Sequence, residues 1–463
     1  MTGKYLICEG VENTTLFESE EVEKAWAILF ADKERTFSVV QISPAVRVSL
    51  GEKFGMHSGE DCMGKIATAL FAMGADAVVD AAMGADVVAL LETQELRARK
   101  EKGESKPLFS AKCTAVADYI RAKYPDIDVS SVASENAVSG ALLKEYYKKQ
   151  TGKTVRIISV EPCKAKKFLA NVDTVITADE LELMLGEVEE VGVSVRTLKK
   201  RALDIPFGVA SGAAYISEVS GGMSESIVRC LLEDKSAEAV RKLSYAGFYG
   251  LKERREVKFE SDGKVWNIAI VCGMEAAESL IKDVRDGKVF YDYVEISACE
   301  GGCVCGTDLP ESENGQARLR VKGLQAMDAK RTARAADVNA AALDAKKRYE
   351  AWLRKKEAGL LEAETDVEPV ELKDELLPDE EPSVEALIDP AELESAVMET
   401  TESMEEIAVA EVVEETIESV TEEVDEDELE ELTEEQKRDP YYRRMSKKDR
   451  RKKKRAKKKN NKQ

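Results

Sequence analysis

One histidine, His57, stands in a chain of 463 residues. That leaves little room for a histidine-built metal site or a histidine-dependent catalytic triad. No apolar run approaches the roughly 20 residues that cross a bilayer as a helix, so no transmembrane segment is expected. The opening Met1-Thr2-Gly3-Lys4-Tyr5-Leu6-Ile7-Cys8 lacks a long apolar core followed by a small-residue cleavage site. No signal peptide is therefore expected. The nine cysteines are an odd, scattered set. That argues against a secreted disulfide framework and for a reducing, cytoplasmic setting. No internal repeat is visible.

The formal charge of −22 is uneven: most of the acid lies after about residue 360, and a dense basic run closes the chain. The acidity is thus mostly a property of the tail and says little about the folded part. A hydrophobic content of 43% supports a real core, and the length allows two or three domains.

Chemistry concentrates in Ile296-Ser297-Ala298-Cys299-Glu300-Gly301-Gly302-Cys303-Val304-Cys305-Gly306, with three cysteines in seven residues. Thiolates are soft ligands that favour iron–sulfur clusters, zinc and copper(I). The glycines let the backbone fold tightly around a bulky inorganic core. A cluster on four thiolates needs more than this loop offers, and Cys113 and Cys163 are the useful partners. Cys8 stands alone and reads as a small buried hydrophobe.

Short apolar runs alternate with helical patterns. Strands are predicted over 36–45, 77–80, 108–110, 154–160, 173–176, 266–271 and 293–296. Helices are predicted over 20–30, 63–73, 86–100, 115–123, 136–149, 178–188 and from 274 to about 286. The alternation predicts an α/β fold with mostly parallel sheets flanked by helices. Cys113, Cys163 and Cys299 all follow predicted strands. In open α/β sheets ligands sit outside the carboxyl ends of strands, so convergence on one crevice is expected.

Beyond about residue 315 the character changes. Residues 326–357 are rich in alanine, lysine and arginine without a break, which predicts one long helix. The organisation is then a lead-in (1–35), an α/β domain (36–315), a helix (316–360), an acidic linker (361–436) and a basic tail (437–463). The linker has the composition of a disordered segment. The run Lys452-Lys453-Lys454-Arg455-Ala456-Lys457-Lys458-Lys459 suits nucleic acid or an anionic membrane surface. It equally suits folding back on the acidic stretch.

Together the cysteine segments resemble the H-cluster domain of iron-only (iron–iron) hydrogenases. The family's second motif, Met-Pro-Cys-x-x-Lys, reads here Glu161-Pro162-Cys163-Lys164-Ala165-Lys166. Its third, Ala-Cys-x-Gly-Gly-Cys-x-x-Gly, reads Ala298-Cys299-Glu300-Gly301-Gly302-Cys303-Val304-Cys305-Gly306. In place of the first, Thr-Ser-Cys-Cys-Pro, stands Ser110-Ala111-Lys112-Cys113-Thr114. Supporting segments are residues 40–47, Ser211-Gly212-Ala213 and Gly221-Gly222, and the similarity runs from about residue 22 to about 310.

The resemblance implies a two-lobed fold in which Cys113, Cys163, Cys299 and Cys303 hold a 4Fe-4S cluster. Cys303 would also bridge to a two-iron subsite carrying carbon monoxide, cyanide and an azadithiolate. Lys166 would hydrogen-bond a cyanide, and Ser43, Pro44 and Ala45 would line the two-iron pocket. Glu92 and Glu95 stand where the outer proton-relay carboxylates are expected, nearly one turn apart on one helix. Partners implied are an external electron carrier such as ferredoxin and the hydrogenase maturation proteins.

Departures from the pattern carry information. The proton-passing cysteine before the first ligand is Lys112 here. A thiol with a pKa of about 8.5 exchanges protons near neutrality, whereas a lysine at about 10.4 holds its proton. The acidic residue expected after motif two is Leu169, and the motif-two methionine is Glu161. The proton path is expected to be broken or rewired. No ferredoxin-like four-cysteine run precedes the domain, so electrons are expected from a docking partner. Cys305 is an extra thiol that suits packing, ligation or redox sensing. The resemblance favours a centre with a two-iron subsite, for hydrogen/proton interconversion at low turnover in an anaerobic setting or for hydrogen or carbon monoxide sensing; the alternative is a 4Fe-4S-only redox-sensing or iron–sulfur assembly role.

Overall fold

A computed structural model describes residues 19–190, 194–243, 246–249, 252–311 and 315–361. Cys8, the basic tail and all of the acidic linker after Leu361 lie outside the described residues.

The apolar runs form β1 (Thr36–Ile42), β2 (Ala77–Asp80), β3 (Leu108–Phe109), β4 (Thr154–Glu161), β5 (Thr174–Thr177), β6 (Arg254–Ser261), β7 (Lys264–Cys272) and β8 (Tyr293–Ser297). They make two four-stranded sheets, ordered β2-β1-β4-β5 and β3-β8-β7-β6. The first is parallel throughout, with Val40 opposite both Val78 and Ile158. The second is parallel except for the β6–β7 hairpin.

Successive side chains on a strand point to opposite faces. Val40, Ile42, Ile158 and Val160 therefore pack under the helices Glu20–Leu29, Met63–Ala72 and Ala178–Glu190. Val39, Val79 and Ile157 face Tyr147 of the helix Glu135–Thr151. In the second lobe Ile268, Ile270 and Tyr293 pack toward the helices Ala82–Lys102 and Gly222–Leu231. Phe109, Ala269, Val271 and Val294 pack toward the helices Thr114–Lys123 and Met274–Arg285. This is the α/β architecture expected, with helices on both faces of mostly parallel sheets.

Helices Gly212–Ile216, Gly222–Leu231 and Ala237–Leu243 fall in no predicted range, and two further elements differ from the sequence reading. The first is β6, which its charged alternation Arg-Arg-Glu-Val-Lys-Phe-Glu-Ser concealed. As an edge strand it buries Arg255, Val257 and Ser261 and leaves the residues between them less covered. Its turn has Asp262 and Gly263 both at positive φ (52° and 66°), the geometry that favours Asp-Gly hairpins. The second is the long helix predicted over 326–357, which is two helices, Gln316–Ala329 and Ala340–Glu357. Arg334 folds back onto Asp328, with Nε donating to Oδ1 at 2.6 Å. Asn339 then starts the next helix by accepting from the Ala341 amide at 3.1 Å, a cap that stabilises by about 1 kcal/mol. The second helix buries Ala342, Ala345, Tyr349 and Trp352 in the second lobe's core, so it belongs to the folded body.

The helix Glu20–Leu29 likewise buries Ala25, Ile28 and Leu29 in the first lobe's core. The first sheet delivers Ser43 and Glu161-Pro162-Cys163 at its strand ends, and the second delivers Ser110 and Ala298-Cys299. These loops meet: Asp308 N–H donates to Pro162 O at 3.2 Å, and Thr114 Oγ1 to Ala165 O at 3.3 Å.

Candidate metal centre

Each of the three strand-end loops turns sharply and presents a thiol at the turn. Cys113 opens the helix Thr114–Lys123, Cys163 opens the short turn Lys164–Lys166, and Cys303 begins the turn Cys303–Cys305. The charges of Cys113 and Cys299 both act on the Cys163 thiol, and that of Cys163 acts on Cys303. The structure thus brings Cys113, Cys299 and Cys303 each within electrostatic reach of Cys163. Burial pushes the Cys163 and Cys303 thiols up, and Lys166 pulls both the other way.

All four cysteines are half-buried, so each keeps exposed surface. Among the described residues, no three His, Cys, Asp or Glu side chains are close enough to hold a single ion. Around one tetrahedral zinc with bonds of about 2.3 Å, sulfurs stand only about 3.8 Å apart. A four-iron cube needs its thiolates farther apart, and a cube matches the chemistry of an all-cysteine set. The loop is shaped for close approach. Gly301 and Gly302 have φ of 97° and 90°, and a Cβ on Gly302 would fall 2.5 Å from the Ser220 nitrogen. That glycine lets residues 218–220 lie against the loop, where Cys303 N–H donates to Glu218 O at 2.8 Å and Ser220 N–H to Gly301 O at 2.9 Å.

Cys305 points under the same turn: a Cβ on Gly301 would meet its sulfur at 2.8 Å. It packs at the edge of the first lobe's core.

Two lysines flank the thiols, both buried. Lys112 follows β3. Its Nζ donates to the carbonyls of Ser217 and Val219 and lies 3.6 Å from Glu295. Burial opposes its charge, but Glu295 and Cys303 outweigh that and hold the ammonium above its ordinary value. Lys112 therefore stays a fixed cation. Glu295 is held by Gly221 N–H (2.9 Å), Ser224 N–H (2.7 Å) and Ser224 Oγ (2.7 Å). Lys166 lies 2.9 Å from Glu161 and 3.5 Å from Glu218. Those two carboxylates raise it well above the ordinary lysine value against the opposing effect of burial. Glu161, the residue in the methionine's place, is held by Lys166, Asn136 Nδ2 and Ser159 Oγ. The Leu169 side chain packs with Ala137 and Val175, and its N–H donates to Lys166 O at 3.1 Å.

Glu218 was not singled out from the sequence. It is 0% exposed. Its Oε2 accepts from Ser43 Oγ at 2.6 Å and from the Ala45 amide at 2.5 Å, while Oε1 faces Lys166. Ser43, Pro44, Ala45 and Lys166 are the residues the resemblance assigned to a two-iron group. Their hydrogen-bond donors are directed at a carboxylate of the chain itself. A second buried anion against these donors is opposed by repulsion at low dielectric. The four thiols fit a cube; the pocket beside them does not fit the two-iron group. The only sequence signal for Glu218 was its place three residues before the Gly221-Gly222 pair.

The predicted relay residues lie deeper in the second lobe. Glu92 is fully buried and accepts from Tyr293 Oη at 2.6 Å. Burial raises its carboxyl to about 7. Glu95 is half-buried, 3.9 Å from Arg99. Tyr293, Ser110 and Glu295 stand between Glu92 and Lys112: the Lys112 amide donates to Ser110 Oγ at 3.3 Å, and Glu92 and Glu295 both bear on the Tyr293 hydroxyl.

Comparison with known proteins agrees with this geometry. Residues 36–307 match the family described as the iron only hydrogenase large subunit, C-terminal domain. Iron hydrogenase 1 of Clostridium pasteurianum is 30% identical over 63% of this chain and 52% of its own. The chain thus spans about half the length of that relative. Cytosolic iron-sulfur assembly component 3 of Bos taurus is 27% identical over 69% of this chain and 75% of its own. An FeFe-hydrogenase structure from Chlamydomonas reinhardtii superposes with a TM-score of 0.60 at 25% identity, covering 72% of this chain and 95% of that one. With the match spanning both lobes and all four thiols, the chain belongs to the iron-only hydrogenase large-subunit family and is an iron–sulfur protein of that family.

Proposed function

We propose that this chain carries one 4Fe-4S cluster on Cys113, Cys163, Cys299 and Cys303 and acts as a one-electron redox protein, in a sensing or iron–sulfur assembly role, without turning over hydrogen. The observation that carries this reading is the meeting of four thiols from three strand-end loops beside a pocket filled by Glu218. When bound, the cube supplies one-electron chemistry. The residues around it set its surroundings: Lys112 and Lys166 are fixed cations facing the thiols, and a positive field favours thiolate over thiol. An external carrier such as ferredoxin would exchange the electron in a cytoplasmic setting. The basic tail would give the protein a hold on nucleic acid or an anionic surface. Relatives at similar similarity include hydrogenases and assembly factors, and the filled pocket favours the second group.

The test is anaerobic reconstitution of the full chain with iron and sulfide, then iron counting and electron paramagnetic resonance after reduction. Serine at Cys113, Cys163, Cys299 or Cys303 is expected to remove most of the cluster signal, whereas Cys305→Ser keeps it, as does serine at Cys62, a thiol buried in the first lobe's core. Retention in Cys303→Ser with loss in Cys305→Ser would reassign the ligand set.

A second reading is supported by one observation, the buried file Glu92–Tyr293–Ser110 behind Lys112. In it, protein matured by the hydrogenase maturation proteins interconverts protons and hydrogen at low turnover, or senses hydrogen. Lys112→Cys would then raise hydrogen evolution. No gain in that variant removes this reading.

A further inference from the structure

We infer that Glu218 restricts this centre to the cube alone, by occupying with its own carboxylate the cradle that would otherwise receive an anionic iron group; the inference deepens the 4Fe-4S reading and rests on it. The cradle has three donors: the Ser43 hydroxyl, the Ala45 amide and the Lys166 ammonium. All are buried, and all point at one carboxylate. Donors of this kind recognise an anion by hydrogen bonding and charge. Here the anion is covalently part of the chain, so its local concentration is fixed and no solute displaces it easily.

The placement of Glu218 is not a side-chain accident. Its backbone is pinned to the ligand loop by the Cys303 N–H bond to Glu218 O and by the Val219–Gly302 bridge. The carboxylate thus stands beside the very cysteine from which a second metal group would extend, and the Glu218 charge acts on the Cys303 sulfur. Gly302 makes that approach possible, since a Cβ there would clash with Glu218 O at 2.8 Å. An anionic two-iron group would have to expel the carboxylate from all three donors and leave it buried without them. A buried acceptor stripped of its partners is costly.

The experiment uses the full chain as wild type, Glu218→Gln, Glu218→Ala and Glu218→Ser. Each is reconstituted anaerobically, and the reduced cube signal is recorded first. Each is then incubated with a synthetic two-iron complex carrying carbon monoxide, cyanide and azadithiolate, and desalted. Iron per chain and the infrared bands of bound carbon monoxide and cyanide are measured. Wild type and Glu218→Gln are expected to stay at about four irons with no bands. Glu218→Ala, or Glu218→Ser if the alanine variant does not fold, is expected to rise to about six irons with bands. Six irons in wild type overturn the inference, and so does a folded alanine or serine variant that stays at four. A chain with no cube signal at the first step fails the four-thiol reading and takes this one with it. A chain with a cube that also accepts two irons fails this one only.

Discussion

Each lobe sends one lysine to the centre, and the two are held differently. Lys166, from the first lobe, stands between two carboxylates, Glu161 and Glu218. Lys112, from the second, has one carboxylate within 4 Å among the described residues, Glu295, and donates to two carbonyls, while Glu135 and Glu218 act on it from farther off. Glu295 keeps three other donors if Lys112 is removed. Glu218 keeps Ser43 and Ala45, and Glu161 keeps Asn136 and Ser159, but both would lose the one ammonium within 4 Å of them among the described residues. Deeper in the second lobe, Glu92 has no cationic partner among the described residues and is raised to about 7. The comparison shows that burial alone does not set a group's charge. Opposite charges buried with it pull the other way.

The largest expected effect is on Lys166. Lys166→Met should destabilise the cluster-free chain by about 3–5 kcal/mol in urea unfolding, because it strands two carboxylates. Lys112→Met should cost roughly half of that, since its carboxylate stays hydrogen-bonded. Equal losses in the two variants, or the reverse order, would break the asymmetry between the lobes.

Glu92→Gln sharpens the third case through pH. The folded pKa of about 7 lies above the ordinary value of 4.5. The folded state therefore holds this proton more tightly than the unfolded chain does. Glu92's contribution is fully present below about pH 4.5 and is lost as pH rises through about 7. The loss reaches about 3 kcal/mol at most. Glutamine keeps an acceptor for Tyr293 without the charge. The variant should lose this part of the pH dependence and be more stable than wild type at pH 8. Unfolding curves at pH 5 and 8 check it, and parallel slopes for the two proteins would refute the assignment.

Much of this was readable from the chain. Cys113, Cys163 and Cys299 followed apolar runs, and those runs became β3, β4 and β8. Val39 and Val40, adjacent and both buried, are what a strand covered on both faces requires. Other parts were hidden. The helix break before Asn339 depends on Arg334 reaching Asp328, and nothing in an alanine-rich run reports that. The edge strand β6 hid because an edge needs only one covered face. Glu218 and Glu295 were invisible because each partner is far off: Ser43 is 175 positions from Glu218.

By itself, then, the sequence determined the family, the alternation of strands and helices, and which cysteines follow strand ends. Those are carried by local periodicity and by motifs whose residues are neighbours in the chain. Only the tertiary structure decided which charge each buried lysine meets, and that the pocket beside Cys303 holds a carboxylate. Electrostatics between buried groups depends on distance through space, and distance along the chain does not encode it.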